Sequence, residues 1–530
     1  MKTLFYILIC PLIISCSTIK FVGSPITVPL VKNNKKAPLV EEEKRFWHLM
    51  DLSRDSIAGM SVDRAHNELI KGQEGKEVIV AVIDSGVDIY HPGLEEVIWV
   101  NNDEIPNNLV DDDNNGYVDD IHGWNFLGES ELENMESVRL QRKEAIGSEA
   151  FDKFEKKRLK NIEGKMKELA NIKVMIQKSH ESDSVIKVTL GKQDYSLEEA
   201  EAFSPKTFVF MEALIFRRFL NENQLTRSKL EVYQKGAQSG IDAHYNINFN
   251  GRAVVGDDPD DINDKNYGNG NVIGPKKEGA SHGTHVSGII AANRSDDKGN
   301  KGVFDCTKIM VLRAVPDGDE YDKDVALAIR YAVDNGAKVI NTSFGKGYSP
   351  HKEWVWDALK YAQENDVLIV NAAGNSGANV DPGKEKTYVT DEVEGKEIVS
   401  NFLTIGAVGS SYDRTQVSSF SNFGSVNVDV FAPGEKIFST VPDGKYDYYS
   451  GTSMAAPNAA GVAAVVRSFF PKLKANQVKK LLMNSGVPLY PTIERPDTGE
   501  LVSPKALSRS GKMVNLYNAL IYASSKSYKK

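Results

Sequence analysis

Cysteine is scarce in this chain. Among its 530 residues only Cys10, Cys16 and Cys306 are cysteines, and the first two lie in an apolar N-terminal segment. The rest of the chain therefore has one thiol and cannot form an intrachain disulfide. This excludes a disulfide-stapled scaffold and a cysteine-rich zinc domain.

Basic residues are outnumbered by acidic ones, and long apolar runs are scarce. Lys and Arg number 64 against 73 Asp and Glu, and the net charge of −9 argues against a nucleic-acid partner, which needs a basic surface. Beyond the N-terminal segment, no apolar run approaches the ~20 residues that span a bilayer. The composition, 41% hydrophobic and 26% charged, is that of an ordinary globular protein with a large core.

The N-terminal segment has the pattern of a secretory signal. Lys2 gives it a basic start, and the apolar run over residues 4–14 is too short to cross a bilayer. Ile13-Ile14-Ser15-Cys16 resembles a bacterial lipobox. That resemblance implies removal of a lipoprotein signal peptide, residues 1–15, and lipidation of Cys16. The protein would then be held at the bacterial cell envelope, on its periplasmic or extracellular face, by its lipid anchor only. The alternative is a plain secretory signal with an incidental cysteine.

Composition divides the rest of the chain into a leader region and an interrupted main domain. Residues 16–43 carry scattered Pro and Lys with little apolar periodicity, which indicates a tether. Residues 44–72 are amphipathic and are interpreted as an N-terminal segment docked on the main domain. The main domain is predicted to comprise residues 73–126 and 241–525, with residues 127–240 inserted between them.

In the main domain, short apolar runs alternate with segments of helical periodicity. The runs are residues 78–83, 309–312, 339–341 and 367–370, and the helical segments include residues 324–335 and 354–365. Apolar strands separated by helices predict an α/β fold whose mostly parallel sheet is covered on both faces. Functional residues are then expected at the carboxyl ends of the strands.

The insertion has a different pattern. It is dense in Lys and Glu, and apolar residues recur at about every third or fourth position over residues 151–176. A second helical run covers residues 197–233 and is interrupted around Pro205. These periodicities predict a helical insertion, in the form of a hairpin packed on the main domain.

An acid, a histidine and a serine stand at the ends of predicted elements. They are Asp84, after the first apolar run; His282, in Ser281-His282-Gly283-Thr284-His285; and Ser453, in Gly451-Thr452-Ser453-Met454. Each alone has an ordinary interpretation as a cap or as polar surface. Together they are the groups that nucleophilic acyl transfer needs, because the imidazole removes the serine proton and the carboxylate orients the imidazole. This chemistry needs no cofactor.

A fourth motif supplies a group for the negative charge that develops in acyl transfer. Asn375 ends Ala372-Ala373-Gly374-Asn375, directly after an apolar strand. Its side-chain amide and the backbone N–H of Ser453 form a plausible oxyanion hole. The alternative for an Asn in this setting is a turn residue.

These motifs together resemble the subtilase family of serine proteases. The matching segments include residues 83–88, 282–286, 372–375 and 451–457, in the chain order Asp, His, Ser that is typical of subtilisin. The resemblance covers the main domain as defined above. It implies a three-layer subtilisin-like α/β fold and a serine endopeptidase acting on peptide or protein substrates.

The resemblance also implies a role for each matching residue. Ser453 would be the nucleophile, His282 the general base and acid, Asp84 the group that orients the imidazole, and Asn375 the oxyanion stabiliser. Two segments would flank the substrate backbone as neighbouring strands do. They are Ser343, Phe344 and Gly345, and Ala372, Ala373 and Gly374.

Other functions are compatible with the same motifs. A catalytically silent relative could use its cleft or its insertion to bind a partner, and an esterase or amidase shares the chemistry. The sequence also departs from the family pattern at Asn458, where a histidine is usual, and at Thr342, where an apolar residue is common. The insertion between Asp84 and His282 puts access to the cleft in question.

An acidic stretch, residues 111–120, indicates a structural calcium site. Alternating oxygen-bearing residues and a glycine resemble the first half of a calcium loop, with Asp111, Asp113, Asn115 and Tyr117 as candidate ligands. The bidentate Glu that usually ends such a loop is missing, since His122 occupies its position. The alternative is an acidic turn without an ion.

Overall fold

The structure is a computed structural model that describes residues 20–27, 38–223, 225–294 and 299–525. The predicted signal peptide and Cys16 lie outside the described residues, as do residues 17–19 and 28–37 of the predicted tether. Among the described helices, none is both long enough and apolar enough to span a bilayer.

Apolar runs of the sequence form the centre of one large sheet. The strands are β1 (Val78–Asp84), β2 (Gly123–Asn125), β3 (Thr307–Arg313), β4 (Val339–Thr342), β5 (Leu368–Ala372), β6 (Glu392–Val393), β7 (Lys396–Glu397), β8 (Phe402–Val408), β9 (Val430–Pro433), β10 (Ile437–Val441), β11 (Lys445–Tyr449), β12 (Val487–Pro488), β13 (Ile493–Glu494), β14 (Leu501–Val502) and β15 (Lys512–Met513). In the described part of the chain, nine of them form a sheet in the order β12-β15-β9-β8-β5-β4-β1-β3-β2. Only the edge pair β12–β15 in this sheet is antiparallel. The predicted α/β fold with a mostly parallel sheet is confirmed.

Helices cover both faces of this sheet. The helices are α1 (Glu41–Phe46), α2 (Leu52–Asp55), α3 (Val62–Ala65), α4 (Glu136–Lys143), α5 (Glu149–Leu190), α6 (Leu197–Ala202), α7 (Phe208–Glu222), α8 (Arg227–Ser239), α9 (Ser281–Ala291), α10 (Asp322–Asp334), α11 (Lys352–Glu364), α12 (Thr452–Phe469), α13 (Ala475–Ser485) and α14 (Leu516–Ser524). Val80 and Val82 of β1 share a core with α9, α12, α13 and α14, whereas Ala81 and Ile83 share one with α10 and α11. Alternate side chains of a strand point to opposite faces, so a continuous apolar run fills both cores.

The insertion is built mainly from α4 to α8. α5 has 42 residues and packs against both α7 and α8. It continues past residue 176 because no breaker intervenes before Gly191, whose left-handed conformation (φ 65°) ends the helix. At the base of the insertion, the Asn134 side chain donates to the carbonyl oxygens of Ala243 (2.6 Å) and Asn246 (3.0 Å). The boundaries at residues 127 and 240 remain a prediction.

The insertion contacts the main domain at several places, including a buried ion pair of α4 in which Glu136 lies 2.9 Å from the Lys346 ammonium. Near the N-terminal end of α5, the Phe154 ring lies edge-on to the Tyr348 ring with 5.6 Å between centroids. From α8, the Lys229 ammonium lies 3.1 Å from Asp447 Oδ1 of β11. The apolar stripe of α5 is covered in part: Leu169 and Ile172 are buried in a cluster with Ala237 of α8, whereas Met166 is 58% exposed.

The tether interpretation is wrong for residues 20–27, which dock on the main domain. Phe21 is buried, and its ring lies 5.3 Å from that of Phe469. Its backbone N–H donates to Ser524 Oγ at 2.9 Å. Farther along, the Ile26 backbone exchanges two hydrogen bonds with the Asn518 side chain. These contacts join residues about 500 positions apart, so the local pattern of residues 20–27 does not predict them.

Candidate active site

Asp84 and His282 meet at the carboxyl end of the central strand β1. Asp84 is the last residue of β1, and its Oδ1 lies 2.8 Å from Nδ1 of His282, the second residue of α9. The same oxygen accepts the backbone N–H of Ser85 at 2.8 Å. α9 can approach this closely because its next residue is Gly283, where an added Cβ would lie 2.2 Å from the carbonyl oxygen of Gly86.

The environment of His282 favours its protonated form. Burial lowers the pKa of the imidazole, but the charge of Asp84 and its hydrogen bond raise it more. The net result is a pKa above the ordinary value of 6.5. The carboxylate therefore stabilises the imidazolium, which is what a general base paired with an acid needs.

His285, in the same motif, has a different environment. It is fully buried, and its Nε2 lies 3.1 Å from the carbonyl oxygens of both Ile437 and Asp447. Its ring stacks on Tyr449 with centroids 4.3 Å apart. Burial, chiefly, lowers the pKa of His285 to about 3, so the ring stays neutral. His285 therefore holds the β10–β11 hairpin against α9.

Ser453 lies in the first turn of α12, against the segment that follows β4. Its hydroxyl donates to the carbonyl oxygen of Ser343 at 3.0 Å, and the Ser343 hydroxyl donates to the carbonyl oxygen of Ser453 at 2.9 Å. Among the described residues, the Ser453 hydroxyl thus bonds Ser343 and not His282. The pair Asp84–His282 is nearby because Ile83 of β1 pairs with Thr342 of β4, which puts Asp84 and Ser343 at adjacent strand ends.

The two predicted substrate-flanking segments lie side by side. Thr342 of β4 pairs with Asn371 of β5, so the residues that follow each strand are neighbours. The segments are Ser343, Phe344 and Gly345, directly after β4, and Ala372, Ala373 and Gly374, at and after the end of β5. The polar Thr342 is accommodated in the core because its hydroxyl donates to Asn371 Oδ1 at 2.8 Å.

Asn375 is held by Thr452, the residue before the candidate nucleophile. Asn375 Oδ1 accepts the Thr452 backbone N–H at 2.8 Å and its hydroxyl at 3.0 Å. The Thr452 hydroxyl in turn accepts the N–H of Gly374 at 3.0 Å. With both donors on the amide oxygen, the amide nitrogen of Asn375 points away and can donate elsewhere. The sequence did not predict that Thr452 positions Asn375, although Thr452 lies in the same motif as Ser453.

The acidic loop, residues 111–120, brings two of its predicted calcium ligands close to Glu104, which the sequence did not predict as a ligand. Carboxylate oxygens of Asp111, Asp113 and Glu104 lie within 4.8 Å of one another. Asn115 lies beside them, with its backbone N–H donating to Asp111 at 3.1 Å and to Asp113 at 3.0 Å. The Tyr117 ring instead packs among aromatic rings of the core. Glu104 precedes the loop by seven residues, outside the alternating pattern that drew attention to it.

Comparison with known proteins identifies the family. Residues 75–509 match the model of the subtilase family. The chain belongs to the subtilase family. The match spans the insertion as well as both parts of the main domain, and it includes every candidate residue discussed above from Asp84 to Ser453.

Curated relatives of this subtilase are serine proteases that it matches over part of their length. It is 41% identical over 189 residues to "Thermophilic serine proteinase" of Bacillus sp. (strain AK1), covering 36% of this chain and 43% of that protein. It is 38% identical over 193 residues to "Thermitase" of Thermoactinomyces vulgaris, covering 36% and 63%. The aligned part spans 22–43% of the length of the first three relatives.

Solved structures include "a cold adapted subtilisin-like serine proteinase", which is 30% identical. The TM-score is 0.34, with 42% of this chain and 73% of the other covered. The evidence for the fold of this subtilase is therefore its own nine-stranded sheet and the match to the family model, not this structural comparison.

Proposed function

We propose that this subtilase is a serine endopeptidase in which Asp84, His282 and Ser453 form the catalytic triad and Asn375 stabilises the oxyanion. The observation that carries the proposal is the 2.8 Å contact between His282 Nδ1 and Asp84 Oδ1. That contact fixes the tautomer of the imidazole and leaves its Nε2 available to a substrate-bound Ser453. In the proposed mechanism, a rotation about the Cα–Cβ bond of Ser453 would exchange its hydrogen bond to Ser343 for one to the imidazole.

The proposed reaction proceeds through an acyl-enzyme. His282 takes the hydroxyl proton as Ser453 Oγ attacks the carbonyl carbon of the scissile peptide bond. The resulting oxyanion accepts hydrogen bonds from the Asn375 amide and the Ser453 backbone N–H, while Asp84 stabilises the imidazolium. His282 then gives the proton to the leaving amine, and a water molecule repeats the sequence to release the acid. Water is the only other reactant.

Replacing Asn375 with Leu is expected to lower kcat about 10²–10³-fold, the loss known for one oxyanion-hole donor in subtilisin. KM should change little, because the oxyanion exists only in the transition state. Steady-state hydrolysis of a chromogenic peptide measures both. Asn171→Leu, the same change at an exposed residue of α5, is the matched control and should leave kcat unchanged. An unchanged kcat in folded Asn375→Leu would contradict the assignment.

The acidic loop is proposed to bind calcium in a structural role. Support comes from the convergence of Asp111, Asp113 and Glu104, whose hard oxygen atoms suit this ion. The loop already donates backbone N–H groups to these carboxylates, for example from Asp112 and Asp113 to Glu104 Oε1 at 2.8 and 3.2 Å. The ion would offset the mutual repulsion of the carboxylates, and it takes no part in the proposed chemistry.

Calcium in excess is expected to raise the melting temperature by mass action, with a gain of about 2.7 kcal/mol when its concentration is 100 times Kd. Asp113→Asn should abolish most of this gain. Asp112→Asn makes the same charge change outside the cluster and should retain it. Melting curves recorded with calcium and with a chelator provide the comparison. If the unmodified protein gave identical melting curves with calcium and with the chelator, the loop would be an acidic turn that binds no calcium.

Anchoring to the cell envelope through Cys16 is proposed on the pattern of residues 13–16. The docked Phe21 follows Cys16 by five positions, so the lipid would lie within about 18 Å of the body. Cys16→Ser is expected to move the protein from the membrane fraction to the soluble fraction, whereas Cys10→Ser should leave it in the membrane fraction. Fractionation of cells producing each variant tests this. Membrane retention of Cys16→Ser would count against the anchor.

A further inference from the structure

Helices α5 and α8 of the insertion each contact a segment that leads to the candidate nucleophile. Phe154 of α5 packs edge-on against Tyr348, which comes three positions after a substrate-flanking segment. Lys229 of α8 lies 3.1 Å from Asp447 Oδ1, and Asp447 belongs to the strand β11 that runs toward Ser453. The insertion therefore reaches the neighbourhood of the site along two different segments of the main domain.

The two contacts are far apart along the insertion. α8 runs antiparallel to α5, since Gly240, directly after α8, lies against the Lys165 side chain and Ala237 lies against residues farther along α5. Lys229 precedes Gly240 by 11 positions, and Phe154 precedes Lys165 by the same number. The contacts are therefore about 22 positions apart along α5, or about 33 Å at a helical rise of about 1.5 Å per residue.

The candidate nucleophile lies between the two contacts. Ser343, which exchanges hydrogen bonds with Ser453, comes five positions before Tyr348, and Asp447 comes six positions before Ser453. A chain extends at most about 3.6 Å per residue, so Tyr348 is at most about 18 Å from Ser343, and Asp447 at most about 22 Å from Ser453. Because the contacts are about 33 Å apart, they cannot lie on the same side of Ser453. The insertion thus bridges the candidate active site from one side to the other.

The two ends of this bridge, which consists of α5 to α8, differ in how firmly they are held. On the Tyr348 side, Glu136 of the preceding helix α4 forms a buried ion pair with Lys346, directly after a substrate-flanking segment. On the β11 side, the Lys229 and Asp447 side chains keep 20% and 35% of their surface exposed. Breaking a buried pair leaves an uncompensated charge, whereas an exposed pair contributes little to stability. The α8 end is therefore the easier end to release.

We propose that this bridge restricts the peptidase to flexible, extended segments of polypeptide and excludes folded protein surfaces. The proposal rests on the proposed peptidase function. A flexible segment threads between the bridge and the two substrate-flanking segments, whereas a loop of a folded protein carries its whole domain with it and needs the α8 end released. With the released form as a minor state of about 0.1–10%, kcat/KM for folded substrates is reduced about 10–1000-fold.

The test uses one cleavable sequence in two forms, a short peptide and an exposed loop of a folded, disulfide-closed protein. In one variant, a Gly/Ser linker replaces α5 to α8. Gly240 lies against Lys165, 16 positions past Glu149. That separation is about 24 Å, which a linker of about 12 residues spans. We expect kcat/KM for the loop substrate to rise about 10–1000-fold in this variant, and kcat/KM for the peptide to stay at the level of the unmodified protein.

Charge reversal at the α8 end is a second, smaller change. Lys229→Glu places like charges together and should raise kcat/KM for the loop substrate by up to about fivefold, given the small contribution of an exposed pair. Adding Asp447→Lys restores opposite charges and should reverse the gain. Lys235→Glu, the same change at an exposed residue of α8, is the matched control and should leave kcat/KM for both substrates unchanged.

Two results would overturn the proposal without affecting the peptidase function. One is a folded linker variant that cleaves the loop substrate no faster than the unmodified protein does. The other is a folded linker variant that has lost both activities, because the insertion would then help to build the site. Where the linker variant does not fold, an unchanged rate for Lys229→Glu with the loop substrate overturns the proposal. Failure of the unmodified, folded protein to cleave the peptide or to react with a serine-directed probe would instead overturn the peptidase function, and this proposal with it.

Discussion

His282→Ala is expected to reduce kcat for peptide hydrolysis by about 10⁶-fold, and Ser453→Ala by a similar factor. The factor is that known for subtilisin, of the same family. The two reductions in kcat should not add in the double variant. Attack by Ser453 needs both the serine and its base, so either single replacement already abolishes that step. Hydrolysis of a fluorogenic peptide by each single variant and by the double variant measures this.

A suitable control for this pair is His180→Ala. His180 is an exposed residue of α5 in the insertion, and its loss should leave kcat unchanged. Circular dichroism and thermal unfolding establish that each variant is folded. If a folded Ser453→Ala variant had the same kcat as the unmodified protein, Ser453 would not be the nucleophile.

Asp84→Asn is expected to lower kcat about 10⁴-fold and to change the pH profile. Asparagine keeps the shape of the side chain but carries no charge to orient and stabilise the imidazolium. Because Asp84 is buried and adjacent to His282 Nδ1, solvent cannot replace that charge. The loss should fall in kcat more than in KM, since the imidazolium forms only as the serine attacks.

The pH dependence follows from the raised pKa of His282. The general base works when neutral, so activity of the unmodified protein should rise with pH through an apparent pKa above 6.5. In Asp84→Asn the effects that raise the pKa are lost, and the lowering effect of burial remains. The acid limb of the residual activity should therefore move to lower pH. If the acid limb of the Asp84→Asn variant stays at the same pH, or moves to higher pH, Asp84 does not raise the pKa of His282.

Elements with strong periodicity could be predicted from the sequence. The run over residues 78–83 is apolar at every position, and it forms the central strand β1 because both of its faces are buried. Asp84 and His282 could be paired in advance because their motifs stand at predicted element ends in the chain order that is typical of subtilisin. Parallel strands then bring such ends to one edge of the sheet.

Contacts between distant segments could not be predicted in this way. Thr452 holds Asn375 across 77 residues of chain, and no local pattern marks that partnership. Glu104 joins the acidic loop from a preceding turn, outside the pattern of alternating residues. Phe21 packs against Phe469 and Phe470, which lie near the other end of the chain. Each of these contacts joins separate segments of the chain, so it can be recognised only in the folded structure.

The helical insertion illustrates both cases. Its apolar stripe predicted a long amphipathic helix, and α5 follows that pattern. The prediction did not include the contacts of α5 with Tyr348 and of α8 with Asp447. Those contacts depend on how the two ends of the insertion are anchored, through pairs such as Asn134 with Ala243.

The central claim is that His282 activates Ser453 as a nucleophile, and covalent labelling with a fluorophosphonate tests it most directly. The folded, full-length protein is treated with the probe, digested and examined by mass spectrometry. We expect one adduct, on the peptide that contains Ser453, which disappears in Ser453→Ala and forms far more slowly in His282→Ala. No adduct in the folded protein, or an adduct on another serine that persists in Ser453→Ala, would contradict the claim.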